Sequence, residues 1–222
     1  MGEYRFTADG HPRQCLRDLG VRLDSHLMMR DHIAKIASSC FYHLRRLRHL
    51  RRIADRPMHQ MLVSAFLLSC IDYCNSVLAG LPHTTLAPLQ RVLHAAVRLV
   101  AGLGPRDYVT DSMKALHWLP VPYRIKFKLC VLMHAVVIWT STVYIKDLLT
   151  PTKDIAGRSN LRSAAAGDFS VPRFRLEFGR RAFSVAGLME WNALPAELRT
   201  IKDRIIFKRA LKTYLFKMAY TC

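Results

Sequence analysis

At 222 residues, 51% of them hydrophobic, the chain has material for one large domain or two small ones, and it is not disordered by composition. The 34 Lys+Arg against 16 Asp+Glu give a formal net charge of +18, which points to a polyanion partner; a merely solvated basic surface is the plainer alternative. The longest apolar runs, residues 61–71 and 129–139, fall short of the roughly 18 residues that cross a bilayer, so no membrane partner is expected. Six cysteines follow no secretory signal. Free thiols and an intracellular setting, nucleus or cytoplasm, are therefore expected.

In chain order, residues 1–18 show no periodicity and read as an irregular segment. Asp31 can cap a helix whose apolar seam is Ile33, Ile36, Cys40, Leu44 and Leu47. The far end of that helix is Arg45-Arg46-Leu47-Arg48-His49-Leu50-Arg51-Arg52. Pro57 suits the first turn of a second helix, ended by Gly80 and Pro82. Thr84 or Thr85 can cap a third, with Leu86, Leu89, Leu93, Val97 and Val100 buried, Arg91, His94 and Arg98 opposite, and Gly102 and Gly104 as its stop. A short helix over 111–118 leads to the corner Leu119-Pro120-Val121-Pro122, and Pro122 starts a fifth helix to about 138. A short piece over 143–149 ends at Pro151, and residues 151–167 read as a linker. Alternating segments at 169–171, 174–178 and 182–185 predict a small β element. A helical turn over 188–194 follows, and the last helix, 203–220, buries Phe207, Leu211, Tyr214, Leu215 and Met218. The expected fold is mainly α: a helical bundle over 19–150, then a small α+β unit over 168–222. Charge follows this order, with net +6 over residues 1–56, 0 over 57–111, +4 over 112–150 and +8 over 151–222.

An ordered series of short motifs runs through these elements. It comprises Ile71-Asp72-Tyr73-Cys74-Asn75-Ser76-Val77-Leu78-Ala79-Gly80-Leu81-Pro82, Leu89-Gln90-Arg91, and Leu116-His117-Trp118-Leu119-Pro120-Val121-Pro122-Tyr123-Arg124. It continues with Leu161-Arg162-Ser163, Val171-Pro172-Arg173, Arg181-Ala182-Phe183-Ser184-Val185, Trp191-Asn192-Ala193-Leu194-Pro195 and Phe207-Lys208-Arg209-Ala210-Leu211-Lys212-Thr213. From about residue 19 to about residue 219, the series resembles the thumb and post-thumb region of non-LTR (LINE-type, jockey-like) retrotransposon reverse transcriptases. Leu19-Gly20-Val21 resembles the segment that closes the polymerase palm. The resemblance implies a thumb-like bundle that grips RNA, DNA or their hybrid, with no complete palm. It implies no polymerase activity in the chain itself, because the paired metal-holding aspartates of the palm have no Asp-Asp counterpart here. Mg2+ would then belong only to the full-length polymerase, and the palm of the parent polyprotein would be a further partner. The alternative is a non-functional or protein-contacting helical relic of a mobile element.

Several constellations carry candidate chemistry. Arg45, Arg46, Arg48, Arg51 and Arg52 offer planar forks that match phosphate oxygens, and Asp55 is the only acid between Asp31 and Asp72. Arg91 and Arg98, and Arg124, Lys126 and Lys128 at the start of the fifth helix, are supporting candidates. Cations at a helix start oppose the macrodipole, which hints at an anion; equally, Arg124 could brace the proline corner. Arg173, Arg175, Arg180 and Arg181 lie among Phe169, Phe174, Phe178 and Phe183. These phenylalanines read as the core of the β element with the arginines outside, the alternative being rings that stack on unpaired bases. Cys70 and Cys74 with His59 or His83 do not match zinc-site spacing, so buried thiols are expected and no metal site. Asp72 inside an apolar helix could pair with an arginine such as Arg98.

Overall fold

A computed structural model describes residues 15–50, 53, 55–138, 149–155, 157 and 167–221. The chain is mainly α with one small antiparallel sheet. It forms two compact units, Met1–Cys74 with Leu81–Val121, and Asn75–Gly80 with Pro122–Cys222. The division therefore falls inside the proline corner, between Val121 and Pro122, at the start of the helix that follows it. It does not fall in the 151–167 stretch, much of which lies outside the described residues.

The first unit opens with a hairpin that periodicity alone does not reveal. Strands β1 (Cys15–Asp18) and β2 (Val21–Asp24) pair Leu16 with Leu23 and Asp18 with Val21. Leu19 and Gly20 both have positive φ, 43° and 83°, as a two-residue turn matched to strand twist requires. The Tyr73 hydroxyl donates to the Leu19 carbonyl at 2.7 Å and holds that turn. Helix α1 (Arg30–Leu50) buries His32, Ile33, Ala37, Cys40, Leu44 and Leu47 along one stripe, with Ile36 only half-buried.

Helix α2 (Arg56–Val63) has Pro57 in its first turn, and the Asp55 carboxylate caps it by accepting from the Met58 N–H at 3.0 Å. It continues through a π turn (Ser64–Leu68) into α3 (Ser69–Asp72). The segment expected to stay helical as far as Gly80 stops there, because Tyr73 is extended and Cys74 has φ 49°. Helix α4 (His83–Ala101) starts at His83 behind Pro82, so Thr84 and Thr85 sit in its first turn and do not cap it. Its expected stripe is buried, and Gly102 (φ 76°) closes it in the left-handed conformation. Helix α4 packs along α1. Helix α5 (Thr110–Ala115) ends with His117 at φ 53°, while the N–H groups of His117 and Trp118 reach the Lys114 and Met113 carbonyls, each at 3.0 Å. That pairing closes a helix C-terminus, and Trp118 and Met113 are both buried.

In the second unit, α6 (Val121–Ile138) buries Ile125, Leu129, Met133 and Val136. Helix α8 (Phe183–Asn192) meets it where Gly187 leaves room: a Cβ there would lie 3.1 Å from Met133 Sδ. Helix α10 (Arg204–Tyr220) is capped by Asp203, whose carboxylate accepts from the Ile205 and Ile206 N–H groups, both at 2.8 Å. It buries Phe207, Leu211 and Leu215, whereas Tyr214 is half-buried and Met218 exposed. Phe207 stacks on His134 with centroids 4.0 Å apart and lies 5.9 Å from Trp191. His134 Nε2 is hydrogen-bonded to the Ile201 carbonyl at 2.8 Å.

The β segments expected in this region take another form. Residues 177–181 form helix α7 (Glu177–Arg181) and residues 183–185 begin α8, with Ala182 extended between them; four consecutive residues of α8, Val185 to Leu188, are buried. Phe169 alone keeps β character, in one antiparallel bridge to Pro151. The Asn192 side chain completes that edge, accepting from the Phe169 N–H at 3.0 Å and donating to its carbonyl at 2.7 Å. A four-residue helix, α9 (Ala196–Arg199), precedes α10; Arg199 forms an ion pair with Asp168. The piece expected over 143–149 lies almost wholly outside the described residues.

Candidate nucleic-acid interface

Helix α1 places Arg45, Arg46 and Arg48 on its last two turns, all three exposed. The seam that buries Leu44 and Leu47 turns the neighbouring positions outward, so the row follows directly from the helical period. The Arg46 guanidinium lies 5.7 Å from the centroid of the Tyr42 ring, one turn earlier. His43 stacks on Phe66 of the π turn, centroids 5.8 Å apart, and Tyr42 and Phe66 are each about half exposed. The arginine row is thus bordered by exposed rings. Sequence reasoning did not single these out, although the four-residue spacing from Tyr42 to Arg46 is a readable signal. Among the described residues, Arg45, Arg46 and Arg48 form no salt bridge. Arg51 and Arg52 lie outside the described residues.

The α4 candidates divide. Arg91 is exposed. Arg98 is half-buried and donates from Nη2 to the Asp107 carbonyl at 3.1 Å, bracing the loop after α4, while the Asp107 carboxylate accepts from the Gly104 N–H at 2.7 Å. Between them sits His94, whose Nε2 lies 2.7 Å from Gln90 Nε2. Gln90 Oε1 accepts from the Val121 N–H at 3.0 Å, so the Gln90 amide nitrogen faces His94 as donor. The His94 Nε2 must then be the unprotonated acceptor. Burial, with the Arg98 charge second, pulls the His94 pKa below its ordinary value, in agreement with a neutral ring.

The second unit carries Arg124, Lys126 and Lys128 on the first turns of α6, each half-buried. Lys126 forms an ion pair with Glu190 at 3.4 Å, which offsets its charge locally. Arg124 lies near Tyr220, whose hydroxyl is pushed up to about 12 by burial and only partly countered by that guanidinium. Tyr123 donates to the Met218 carbonyl at 3.1 Å, so this face of α6 also holds α10. Each unit therefore presents basic groups of its own, with the least encumbered on α1.

Cys40 is fully buried beside Cys70, and burial first, then Cys70, pushes its thiol up to about 12, which removes it as a nucleophile at neutral pH. Cys70 and Cys74 are half-buried. Among the described residues, no group of three or more His, Cys, Asp or Glu side chains could hold a metal ion. No described helix is long and apolar enough to cross a membrane. In comparisons with known proteins, the chain matches no family model, no curated protein and no solved structure.

Proposed function

We propose that the chain is a nucleic-acid-gripping piece of a non-LTR retrotransposon reverse transcriptase, from its thumb and post-thumb regions. It holds RNA, DNA or an RNA–DNA hybrid through phosphate contacts and performs no polymerisation itself. The observation that carries this reading is the exposed row Arg45, Arg46 and Arg48 on α1, free of carboxylate partners among the described residues, in a chain of net charge +18. Arginine forks on one helix end can each engage a phosphate, and the released counterions supply the affinity. Arg91 adds to the same unit; Arg124 and Lys128 serve the second unit.

The test is the triple variant R45A/R46A/R48A. Each phosphate contact on a duplex contributes about 0.9 to the slope of log affinity against log salt. Three contacts amount to about 2.7, or about a 40-fold loss of affinity between roughly 50 and 200 mM salt. The variant should bind all sequences more weakly alike and lose that part of the salt dependence. Unchanged affinity and slope would refute the assignment.

A further inference from the structure

The segment before α7 is the most conspicuous feature that the α1 reading leaves unused. Phe174, Leu176 and Phe178 are 40%, 70% and 55% exposed, in a stretch where the alternation of Phe and Arg predicts a buried β core. Arg173 and Arg175 are exposed beside them. Among the described residues neither forms a salt bridge, and Glu177 is the only acid between Asp168 and Glu190. Glu177 pairs with Arg180 across one turn of the surface at 3.8 Å.

The segment is also held in place. A Cβ on Gly179 would lie 3.2 Å from the Phe174 Cβ, so the chain at Phe174 folds back onto α7 at Gly179. Helix α7 is fixed by Arg181, which donates to the Ala79 and Val77 carbonyls at 3.3 and 3.4 Å. Two exposed rings four residues apart, on an anchored support and flanked by guanidinium groups, match the faces of unpaired bases and their phosphates. In a duplex the base faces are already stacked on each other, so rings of this kind gain little from it.

We propose that Phe174 and Phe178, with Arg173 and Arg175, form a binding site for single-stranded nucleic acid. The rings stack on bases and the arginines take the phosphates. The proposal rests on the nucleic-acid reading for its ligand class, but it uses a different unit and different residues from α1.

The experiment measures the affinity of the full chain for an oligo(U) single strand and for a mixed-sequence duplex, with wild type, F174A/F178A and the ring-retaining F174Y/F178Y. F174A/F178A should weaken single-strand binding by about tenfold or more, leave duplex binding unchanged, and keep the salt slope because no charge is removed. F174Y/F178Y should restore affinity. As a check independent of any variant, 5-iodouridine oligo(U) irradiated on the wild-type chain should form adducts within residues 173–180. Unchanged single-strand affinity, an equal loss on duplex, or adducts confined to α1 would overturn the proposal. If the α1 variant loses duplex binding while F174A/F178A changes nothing, this site fails alone; if the wild type binds neither ligand, both readings fail.

Discussion

Arg98 separates a bracing role from a binding role, and the substitution Arg98→Met tests the difference. Methionine keeps an apolar stem along α4 but removes the charge and the donor. The lost bond is the charged one from Nη2 to the Asp107 carbonyl, a class whose net contribution is about 1.5–3 kcal/mol. Part of this loss is offset, because Arg98 Nε is already buried without a hydrogen-bond partner and the variant no longer buries it. A net destabilisation of about 1–2 kcal/mol follows. Urea unfolding monitored by circular dichroism would register it as a lower midpoint at unchanged slope. Binding should keep its salt dependence, since the guanidinium serves the loop. His94 should also titrate higher, because the Arg98 charge is one of the two causes holding it down. Unchanged stability together with a salt slope reduced by about 0.9 would refute this reasoning and return Arg98 to the phosphate-contacting set.

His32 and His94 give the first unit an acid-sensitive stability. Burial in first place, then Arg22 and Arg98 respectively, lowers both below the ordinary 6.5. The unfolded chain thus binds protons at a pH where the folded one does not, so this stability is intact above 6.5 and is lost as pH falls below it. Urea midpoints at about pH 7.5 and 5.5 should differ in that direction, and His94→Gln should reduce the difference; a flat response would contradict it. Phe207→Ala removes a fully buried ring stacked on His134, at a cost of about 3–5 kcal/mol, read as unfolding at lower denaturant. Asp203→Ala removes the acceptor for two N–H groups at the start of α10 and should cost about 1 kcal/mol by the same assay.

Much of the helical framework was legible because a buried stripe imposes its period on the sequence. The stripe of α4, the end of α4 at Gly102 and the start of α6 at the Val121-Pro122 corner are where the residues place them. The hairpin is not legible from periodicity because its strands have four residues each, too few for alternation to register; the Leu19-Gly20 turn is its strongest signal. The C-terminal β reading failed for two physical reasons. Helix α8 is buried on most sides and so shows no helical period, and among the described residues the Phe–Arg alternation before α7 has no neighbouring strand to pair with. For the candidate site, helical spacing puts Arg45 and Arg48 on one face with Arg46 to its side, and all three are exposed. Spacing could not show that Arg98 and Lys126 have partners, because Asp107 lies across a loop and Glu190 is 64 residues away.

The central claim, that the chain grips nucleic acid as a thumb does, is tested most directly by equilibrium binding of the wild-type protein. The ligands are a labelled RNA–DNA hybrid and a single-stranded RNA, each at two salt concentrations. The account expects tight hybrid binding with a steep salt slope and a preference for the hybrid that survives at the higher salt. Weak binding, or equal binding to any polyanion, would contradict it and leave the charge without a specific role.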